Sequence, residues 1–431
     1  MAVPAAPNIV LIHCHDLGTW LPCYGMPSVP SPYLNTFADE GVVFESAFAT
    51  APLCTPARSS IFTGLHPHQN GLMGLTHDGW QYAPGVRTLP QMLAEHGYHT
   101  ALVGLQHEDL DARVLGYEEV HGLGFLPRAH EVARRVDWWL TQPARPEPFF
   151  LSVGMWEVHR PWPPEDYQPA DPDGVDVPAY LPDNAHTRQD IAAFHGAIRQ
   201  MDEAVGAILH SLARSAFADN TMVIFTTDHG VAFPRAKSTL YDSGVQVSLI
   251  VRPPASWDTE PGRRAELVSH LDLAPTLIDV AGGQPAQNLE GRSFRSLLRG
   301  GPPQPQEGPA ERELLLQKTY HDRYDPIRAL RTPQVKYIRN FAPGPQLPLA
   351  LDLEESSTRQ GMDDAMLGPR PDEELYLLDD DPAELQNVAA VPEHQALRRQ
   401  MAQRLQAHLE QTADPVLAGP ITPPPAPTPS R

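Results

Sequence analysis

The amino-acid sequence predicts an α/β protein with a large mixed, mostly parallel sheet flanked by helices, and a smaller C-terminal α+β subdomain. Short apolar runs without polar alternation are typical of strands buried on both faces, and three largely apolar runs stand out here: 8–12, 149–153 and 221–226. Amphipathic stretches of helical period lie between and after these runs: 88–95, 188–213 and 271–281. Strands that alternate with helices favour a layered α/β domain.

The composition changes near residue 300, which suggests a domain boundary. The segment 300–309 is rich in Gly and Pro, as linkers commonly are. Two strand-like segments, a polar loop and a final amphipathic helix follow it: 313–317, 334–338, 352–372 and 392–412. We therefore expect a main α/β domain over 1–300, an α+β subdomain over 311–413 and a Pro-rich, disordered tail over 414–431.

The charge balance of the 431 residues argues against two classes of partner. There are 53 acidic and 32 basic side chains, which gives a formal net charge of -21. Such a surface repels phosphate backbones and anionic lipids, so we expect neither nucleic-acid nor membrane binding. Hydrophobic residues make up 41% of the chain, enough for a sizeable core. An anionic substrate would need locally positive charge to overcome the overall repulsion.

Cysteine usage and the N-terminus favour a reducing, intracellular location. The three cysteines, Cys14, Cys23 and Cys54, are too few and too odd in number for a disulfide framework. Residues 1–7 lack basic side chains, and the apolar run 8–12 is too short for a signal peptide or a membrane span. We therefore expect a cytoplasmic protein.

Polar side chains follow each of the three predicted strands directly. His13 to Asp16 follow the first strand, Trp156 to His159 come shortly after the second, and Thr227 to Gly230 follow the third. In open α/β sheets, ligands bind at the carboxyl ends of the strands. The pattern therefore predicts one functional site at this edge of the sheet.

The segment Cys54-Thr-Pro-Ala-Arg-Ser-Ser-Ile-Phe-Thr-Gly64 is the sharpest motif in the chain, and it resembles the signature of the sulfatase family. Further stretches similar to that family surround it in order: 8–18, 22–25, 31–34, 64–71, 227–230, 271–279, 291–294 and 374–387. The resemblance covers roughly 7–300 and 370–390. Within the family, His68-Gln-Asn-Gly71 and the stretch from 177 to 202 look most like the N-sulfoglucosamine sulfohydrolases, or sulfamidases.

The resemblance implies an alkaline-phosphatase-like fold and a modified nucleophile. In the family, the cysteine matching Cys54 is oxidised by a maturase to formylglycine, whose hydrated aldehyde attacks sulfur. Pro56 suits the start of a helix, which would bring positive charge to this side chain. Arg58 can donate hydrogen bonds to the ionised nucleophile. The alternative is a buried structural cysteine, the usual fate of a free thiol.

The resemblance also implies one divalent metal ion. Asp16, Asp228 and His229 match family ligand positions, and the modified Cys54 would complete the set, but His15 stands where relatives have a second Asp. Sulfatases usually hold Ca²⁺ through oxygen ligands. Because His15 and His229 offer imidazole nitrogen, Mn²⁺ and Zn²⁺ are also plausible. His15 is either a direct ligand or a neighbour that supports the ligands.

Three more catalytic residues follow from the resemblance. His107 would contact the nucleophile, His159 would bind the sulfate and protonate the leaving group, and Lys237 would neutralise sulfate oxygens. Lysine occurs only at 237, 318 and 336, which makes Lys237 informative, although a solvated loop lysine is the alternative. Leu105 departs from the family, which has Lys at that position.

Weaker candidates for substrate contacts are His66, His68, Asn70, His77 and Trp156, with Gln69 beside them. Trp156 could form a sugar-stacking wall with Trp80 and Trp162. For each histidine and tryptophan the alternative is ordinary core packing.

Taken together, the sequence predicts a metal- and formylglycine-dependent sulfatase. Its substrate would be a small sulfated sugar or aryl sulfate, cleaved at a sulfate ester or an N-sulfate (sulfamate). One rival is a phosphonate or phosphate mono- or diester hydrolase of the same superfamily, whose members share the modified Cys and an Asp-His pair and can lack the first Lys. The other rival is a non-catalytic metal-binding relative, suggested by Leu105 and His15. An oligomer is compatible with the sequence.

Overall fold

The main domain is built on an eight-stranded sheet. The computed structural model describes residues 6–124, 126–299 and 312–425. The strands of this sheet are β1 Asn8–Cys14, β2 Val42–Phe48, β3 His99–Gly104, β4 Glu119–His121, β5 Phe149–Gly154, β6 Thr221–Thr227, β7 Leu249–Arg252 and β8 Gly262–Ser269. Their spatial order is β4-β3-β5-β1-β6-β7-β2-β8. Only β7 runs antiparallel to its neighbours, so the predicted mixed, mostly parallel sheet is confirmed.

Helices cover both faces of this sheet, and a few more belong to the C-terminal part. They are α1 Pro32–Asp39, α2 Cys54–Thr63, α3 Pro67–Asn70, α4 Leu89–Glu95, α5 Ala129–Thr141, α6 Ala185–Ala213, α7 Asp242–Val245, α8 Leu273–Val280, α9 Arg295–Leu298, α10 Leu351–Glu354, α11 Ser357–Gln360 and α12 Gln395–Gln411. The three predicted helical stretches are confirmed as α4, α6 and α8. No helix in the described residues is long and apolar enough to span a membrane.

The position of β1 at the centre of the sheet explains why Ile9 to Ile12 are apolar without alternation. Val10 and Ile12 pack into one hydrophobic cluster, together with α5 and α6. Ile9 and Leu11 point to the other face and pack into a second cluster, with α2, α4 and α8. Because both faces of β1 are covered by helices, every position of the strand favours an apolar side chain.

The C-terminal subdomain contains a four-stranded antiparallel sheet in the order β12-β11-β10-β9. Its strands are β9 Leu314–Tyr320, β10 Tyr324–Arg331, β11 Val335–Asn340 and β12 Glu373–Leu377. Helix α12 packs on one face through Met401, Leu405 and Leu409. The other face packs against the main domain through Phe48, Leu240 and Val245, among others. The predicted α+β character is confirmed.

The Pro-rich tail differs from the expected disorder over its first residues. Val416 is buried against the subdomain, and the carbonyl oxygen of Ile421 accepts a hydrogen bond from the Tyr320 hydroxyl. Proline does not prevent such packing, because an extended segment can bury isolated apolar side chains without forming regular structure. The predicted linker at 300–309 and the last residues, 426–431, lie outside the described residues.

A buried carboxyl on α6 holds the start of α1 and gives a stability prediction. Asp202 accepts the backbone N–H groups of Tyr33 (3.0 Å) and Leu34 (2.7 Å). Burial raises the pKa of Asp202 to about 6. The folded state therefore binds this proton more tightly than the unfolded chain does. The contribution of the proton to the free energy of unfolding is complete below about pH 4 and is lost as the pH rises through about 6.

We expect Asp202→Asn to remove this dependence. The free energy of unfolding of the variant, relative to the wild type, should then rise as the pH increases from about 4 to 7. Urea unfolding across this pH range measures the difference, with Asp39→Asn on the exposed end of α1 as the control. Parallel pH profiles for the variant and the wild type would contradict the prediction.

Candidate functional site

Two neighbouring parallel strands of the main sheet bring four predicted site residues together: His15, Asp16, Asp228 and His229. Strands β1 and β6 pair in register, with Cys14 opposite Thr227, so the residues that follow them emerge side by side. The backbone N–H of Asp16 donates to Oδ1 of Asp228 at 2.9 Å. Asp16 itself has a left-handed backbone (φ 51°), which Asp tolerates better than most residues. The turn thereby joins the two acidic segments at the carboxyl edge of the sheet.

The glycine after His229 is required by close packing. A Cβ atom on Gly230 would lie 2.0 Å from the carbonyl oxygen of Ser243. The backbone N–H of Gly230 also donates to the carbonyl of Gly244 at 2.9 Å. Any larger residue would push the segment 228–230 away from α7, and the Asp228 and His229 side chains would move with it.

Cys54 is the first residue of α2, and its side chain lies at the positive end of that helix. Its Sγ lies 3.5 Å from Nε2 of His229. The side chain is almost wholly buried. Burial raises the pKa of the Cys54 thiol, with only partial opposition from the hydrogen bond to His229. The unmodified side chain is therefore a protonated thiol and a weak nucleophile.

Buried donor atoms without partners converge beside Cys54. One ligand atom from each of His15, Asp16, Cys54 and Asp228 lies within 4.8 Å of the others. Neither ring nitrogen of His15 has a hydrogen-bond partner among the described residues, and nor does Oδ1 of Asp16. Nδ1 of His15 lies 2.9 Å from Oδ2 of Asp228 but lacks hydrogen-bond geometry. Orphaned nitrogen and oxygen donors of this kind fit a divalent cation.

His229 directs one nitrogen into the same cluster. Its Nδ1 lies 2.9 Å from the carbonyl oxygen of Gly230, so Nδ1–H donates there, and Nε2 lies 3.0 Å from Oδ1 of Asp16. A backbone contact of this kind orients the ring of a metal-binding histidine. Burial would lower the pKa of His229, but Asp228 and Asp16 raise it well above its usual value. The negative charge that raises it would equally attract a metal ion.

The charges of the two aspartates are stabilised by their neighbours. Burial alone would raise the pKa of Asp16, but Lys237, His159 and His229 hold it well below its usual range. Burial would likewise raise the pKa of Asp228, but His229, His15 and Arg58 hold it well below its usual range. Both carboxyl groups are therefore ionised and able to bind a cation.

Arg58 is buried beneath this cluster. The sequence predicted that its guanidinium donates to the nucleophile, whereas the hydrogen bonds seen here are to other groups. Its Nη1 lies 2.7 Å from Nδ1 of His13, and its Nη2 donates to the carbonyl of Cys14 at 2.8 Å. Nη2 also lies 3.2 Å from Oδ2 of Asp228. Arg58 thus links α2 to the ends of β1 and β6 and supplies positive charge below the aspartates.

Lys237 is a buried member of the site rather than a solvated loop lysine. Its Nζ lies 2.9 Å from Oδ2 of Asp16, 3.3 Å from Nε2 of His159 and 2.7 Å from Oδ2 of Asp352. Only 1% of the side chain is exposed. Burial would lower the pKa of Lys237, but Asp16 and Asp352 raise it well above its usual value. The ammonium group is therefore charged and directed at the cluster.

Asp352 is a site residue that the sequence analysis missed. It lies on α10 in the C-terminal part of the chain, within a stretch predicted only as a polar loop. An oxygen of Asp352, a nitrogen of His159 and an oxygen of Asp16 lie within 4.8 Å of one another. The only sequence signal was an acidic residue in a polar segment, which is too common to indicate a site.

An apolar cavity of about 330 Å³ opens beside the cluster. Leu105, Trp156 and His107 line it, together with Leu110 and His77. The ring of His107 lies 6.2 Å from that of His15, and the exposed His77 stacks on His107 at 5.8 Å. Of the weak substrate candidates, His77 and Trp156 therefore border the site.

The other weak candidates have structural contacts instead. His66 and His68 stack on each other, and His68 bonds to Gln317 of β9, so this pair packs the main domain against the subdomain. The buried Asn70 donates to the Ser59 hydroxyl and supports α2. These contacts favour a structural role for the three residues, because a lone polar residue in sequence does not reveal whether it meets protein or solvent.

The supposed aromatic wall is reduced to Trp156. Trp80 is buried against Tyr320, and Trp162 is buried among Phe194 and Phe233. Gln69 bonds to Glu290 near the surface. Core packing explains Trp80 and Trp162, as it does most tryptophans.

Comparison with known proteins gives a consistent result across most of the chain. The sequence profile described as Sulfatase matches residues 7–283, and the profile described as N-sulphoglucosamine sulphohydrolase, C-terminal, matches residues 230–341. Human N-sulphoglucosamine sulphohydrolase is 27% identical over 96% of this chain and 92% of the relative. An ulvan-active sulfatase from Formosa agariphila is 26% identical over 92% of this chain and 73% of the relative.

Solved structures share the fold. The phosphonate monoester hydrolase of Agrobacterium radiobacter superposes with a TM-score of 0.73 at 20% identity, covering 96% of this chain and 97% of that one. At this identity the likeness is one of architecture, the alkaline-phosphatase-like sheet with its smaller C-terminal sheet.

Proposed function

Because the chain belongs to the sulfatase family, we propose that it releases inorganic sulfate from a small saccharide by cleaving a sulfate ester or an N-sulfate. The observation that carries this proposal is the convergence of Cys54, at the start of α2, with the His15, Asp16 and Asp228 donor atoms. The buried ammonium group of Lys237 lies beside them. This arrangement combines a modifiable side chain, a cation site and positive charge for an anion.

The cation would be held by Asp16, Asp228 and His229, with His15 and the modified Cys54 completing the set. Mixed nitrogen and oxygen donors are compatible with Mn²⁺ or Zn²⁺ as well as with the Ca²⁺ usual for the family. When bound, the metal supplies Lewis acidity, and formylglycine, made from Cys54 by a maturase, supplies a hydroxyl nucleophile with a second hydroxyl for release of sulfate. Arg58 keeps α2 aligned with the aspartates from below.

Lys237 and His159 would act on the other side of the sulfate. The Lys237 ammonium can neutralise sulfate oxygens, because it is charged and excluded from bulk water. Burial and the Lys237 charge lower the pKa of His159. Its Nδ1 contacts the carbonyl of Arg160, so Nε2 faces Lys237 as an acceptor. The proton for the leaving group would therefore be shared by this Lys-His pair, and His159 would deliver it.

The second candidate activity is phosphonate or phosphate ester hydrolysis. Two features of this chain favour it: the Asp228-His229 pair, and Leu105 in place of a cation. Phosphonate monoesters carry one negative charge on the reacting group, as sulfate monoesters do, so charge alone does not separate the two substrates.

Turnover of an aryl sulfate, a glucosamine N-sulfate and an aryl phosphonate monoester, side by side with one batch of matured enzyme, tests the proposal. We expect kcat/KM to be highest for one of the two sulfated substrates. Faster cleavage of the phosphonate would overturn the proposed function in favour of the second candidate.

Restoring the missing cation is expected to tighten anion binding. Leu105 lines the cavity beside His107, so Leu105→Lys would place an ammonium group near the bound sulfate. One added charge interaction of about 1.4 kcal/mol corresponds to tenfold tighter binding. The inhibition constant for inorganic sulfate should fall by about this factor, whereas it should not fall in Leu105→Met, the uncharged control. Equal inhibition constants in the two variants would contradict the role assigned to this position.

A further inference from the structure

A carboxylate from the C-terminal part of the chain enters a site whose ligand is an anion. Oδ2 of Asp352 binds Lys237 at 2.7 Å, but its Oδ1 is buried and has no hydrogen-bond partner among the described residues. Burial and the neighbouring charge of Asp16 would raise the pKa of Asp352, but Lys237 and His159 hold it below its usual value. An unpaired buried carboxylate oxygen is costly unless something else donates to it.

The fold presents Asp352 rigidly. The flanking residues Ala350 and Leu353 are buried in the main-domain core, although they belong to the segment after the linker. The backbone N–H of Leu351 donates to Oδ2 of Asp322 at 2.9 Å, which anchors the first turn of α10. Asp352 is therefore held at the site by packing on both sides, and it is not a mobile surface acid.

The position of Asp352 relative to His159 indicates which part of the substrate Oδ1 of Asp352 would contact. His159 is the residue that would protonate the leaving group, and its ring nitrogen lies within 4.8 Å of an Asp352 oxygen. Asp352 is thus within reach of the leaving group and of the atoms next to it. A carboxylate there repels sulfate oxygens but attracts an O–H or N–H donor.

We propose that Asp352 accepts a hydrogen bond from a hydroxyl or amine of the sugar, on the ring carbon adjacent to the carbon that bears the sulfate. This contact would select saccharides over aryl sulfates. This inference rests on the proposed sulfatase function and deepens it. Aryl sulfates lack such a donor, so with them the Asp352 oxygen would stay unpaired and the carboxylate would only weaken the hold of Lys237 on sulfate. Trp156, tilted against His159 at 4.3 Å between ring centroids, offers an apolar face to the same sugar.

The test compares Asp352→Asn and Asp352→Ala with the wild type on two substrates. One is 4-nitrophenyl sulfate, and the other is the N- or O-sulfated glucosamine that the wild type cleaves fastest. A hydrogen bond to a charged group contributes about tenfold to a hundredfold in rate. We expect the ratio of kcat/KM for saccharide over aryl sulfate to fall at least tenfold in both variants. Glu355→Gln removes an exposed charge three residues away and should leave the ratio unchanged.

A substrate analogue keeps the test independent of how the variants fold. Replacing the hydroxyl next to the sulfate by hydrogen should cost the wild type about tenfold in kcat/KM and should cost Asp352→Asn much less. An unchanged ratio in the variants, or a wild type indifferent to the missing hydroxyl, would overturn the role of Asp352. Failure of the matured wild type on every sulfated substrate would instead overturn the proposed function itself.

Discussion

Replacing Cys54 by Ala is expected to abolish sulfate release, with a loss in kcat of at least about 10⁴-fold. The reason is chemical rather than structural. Burial raises the pKa of the thiol, so the unmodified side chain is a weak nucleophile, and the proposed activity depends on its oxidation. The measurement is initial-rate sulfate release by protein produced together with a formylglycine-generating maturase.

The control for Cys54→Ala is Cys23→Ala, which changes a half-buried cysteine of the loop after β1. This variant should keep near wild-type turnover. A mass spectrum of the peptide containing Cys54 should show the aldehyde in wild-type protein. If the matured protein carried only the thiol there, the rival interpretation as a non-catalytic metal-binding relative would be favoured.

Removal of the divalent cation is expected to abolish turnover and to destabilise the fold. A chelator would leave Asp16 and Asp228 facing each other in a buried site with only Lys237, Arg58 and the histidines to balance them. A cation present at a hundredfold its Kd stabilises the folded state by about 2.7 kcal/mol, and this is lost on its removal. Thermal unfolding with and without chelator measures the effect, independently of activity.

The variant His15→Asp tests which ion the site prefers. An aspartate at 15 would recreate the acidic pair of the family and replace nitrogen by oxygen, which favours Ca²⁺ over Zn²⁺ or Mn²⁺. The midpoint of unfolding, measured with each ion in turn, should shift toward a larger Ca²⁺ stabilisation in the variant than in the wild type. The same order of ions in both proteins would indicate that His15 is not a ligand.

Local patterns were sufficient for the fold of the main domain. Strands β1, β5 and β6 are buried at every position because helices cover both faces of the sheet, and their apolar runs make that burial visible in a single sequence. The polar residues at their ends could be assigned to one site, because parallel strands bring their carboxyl ends to the same edge. The motif at Cys54–Gly64 added the chemistry.

Isolated polar residues could not be assigned in this way. His66, His68 and Asn70 stood in a conspicuous motif, yet they support α2 and the subdomain contact. Trp80 and Trp162 are core residues, whereas Trp156 borders the cavity. Composition and spacing are the same in both situations, because they do not record which surface a side chain faces.

The sequence by itself determined the α/β class, the sulfatase motif and the position of Asp16, Asp228 and His229 at the strand ends. Only the tertiary structure decided that Lys237 is buried between Asp16, 221 residues away, and Asp352, 115 residues away. Contacts between such distant residues leave no periodic trace in the chain, because they depend on how the C-terminal part packs on the main domain. The overall charge of -21 is therefore no obstacle to the proposed anionic substrate, since the fold gathers Arg58 and Lys237 around the cluster of Cys54, Asp16 and Asp228.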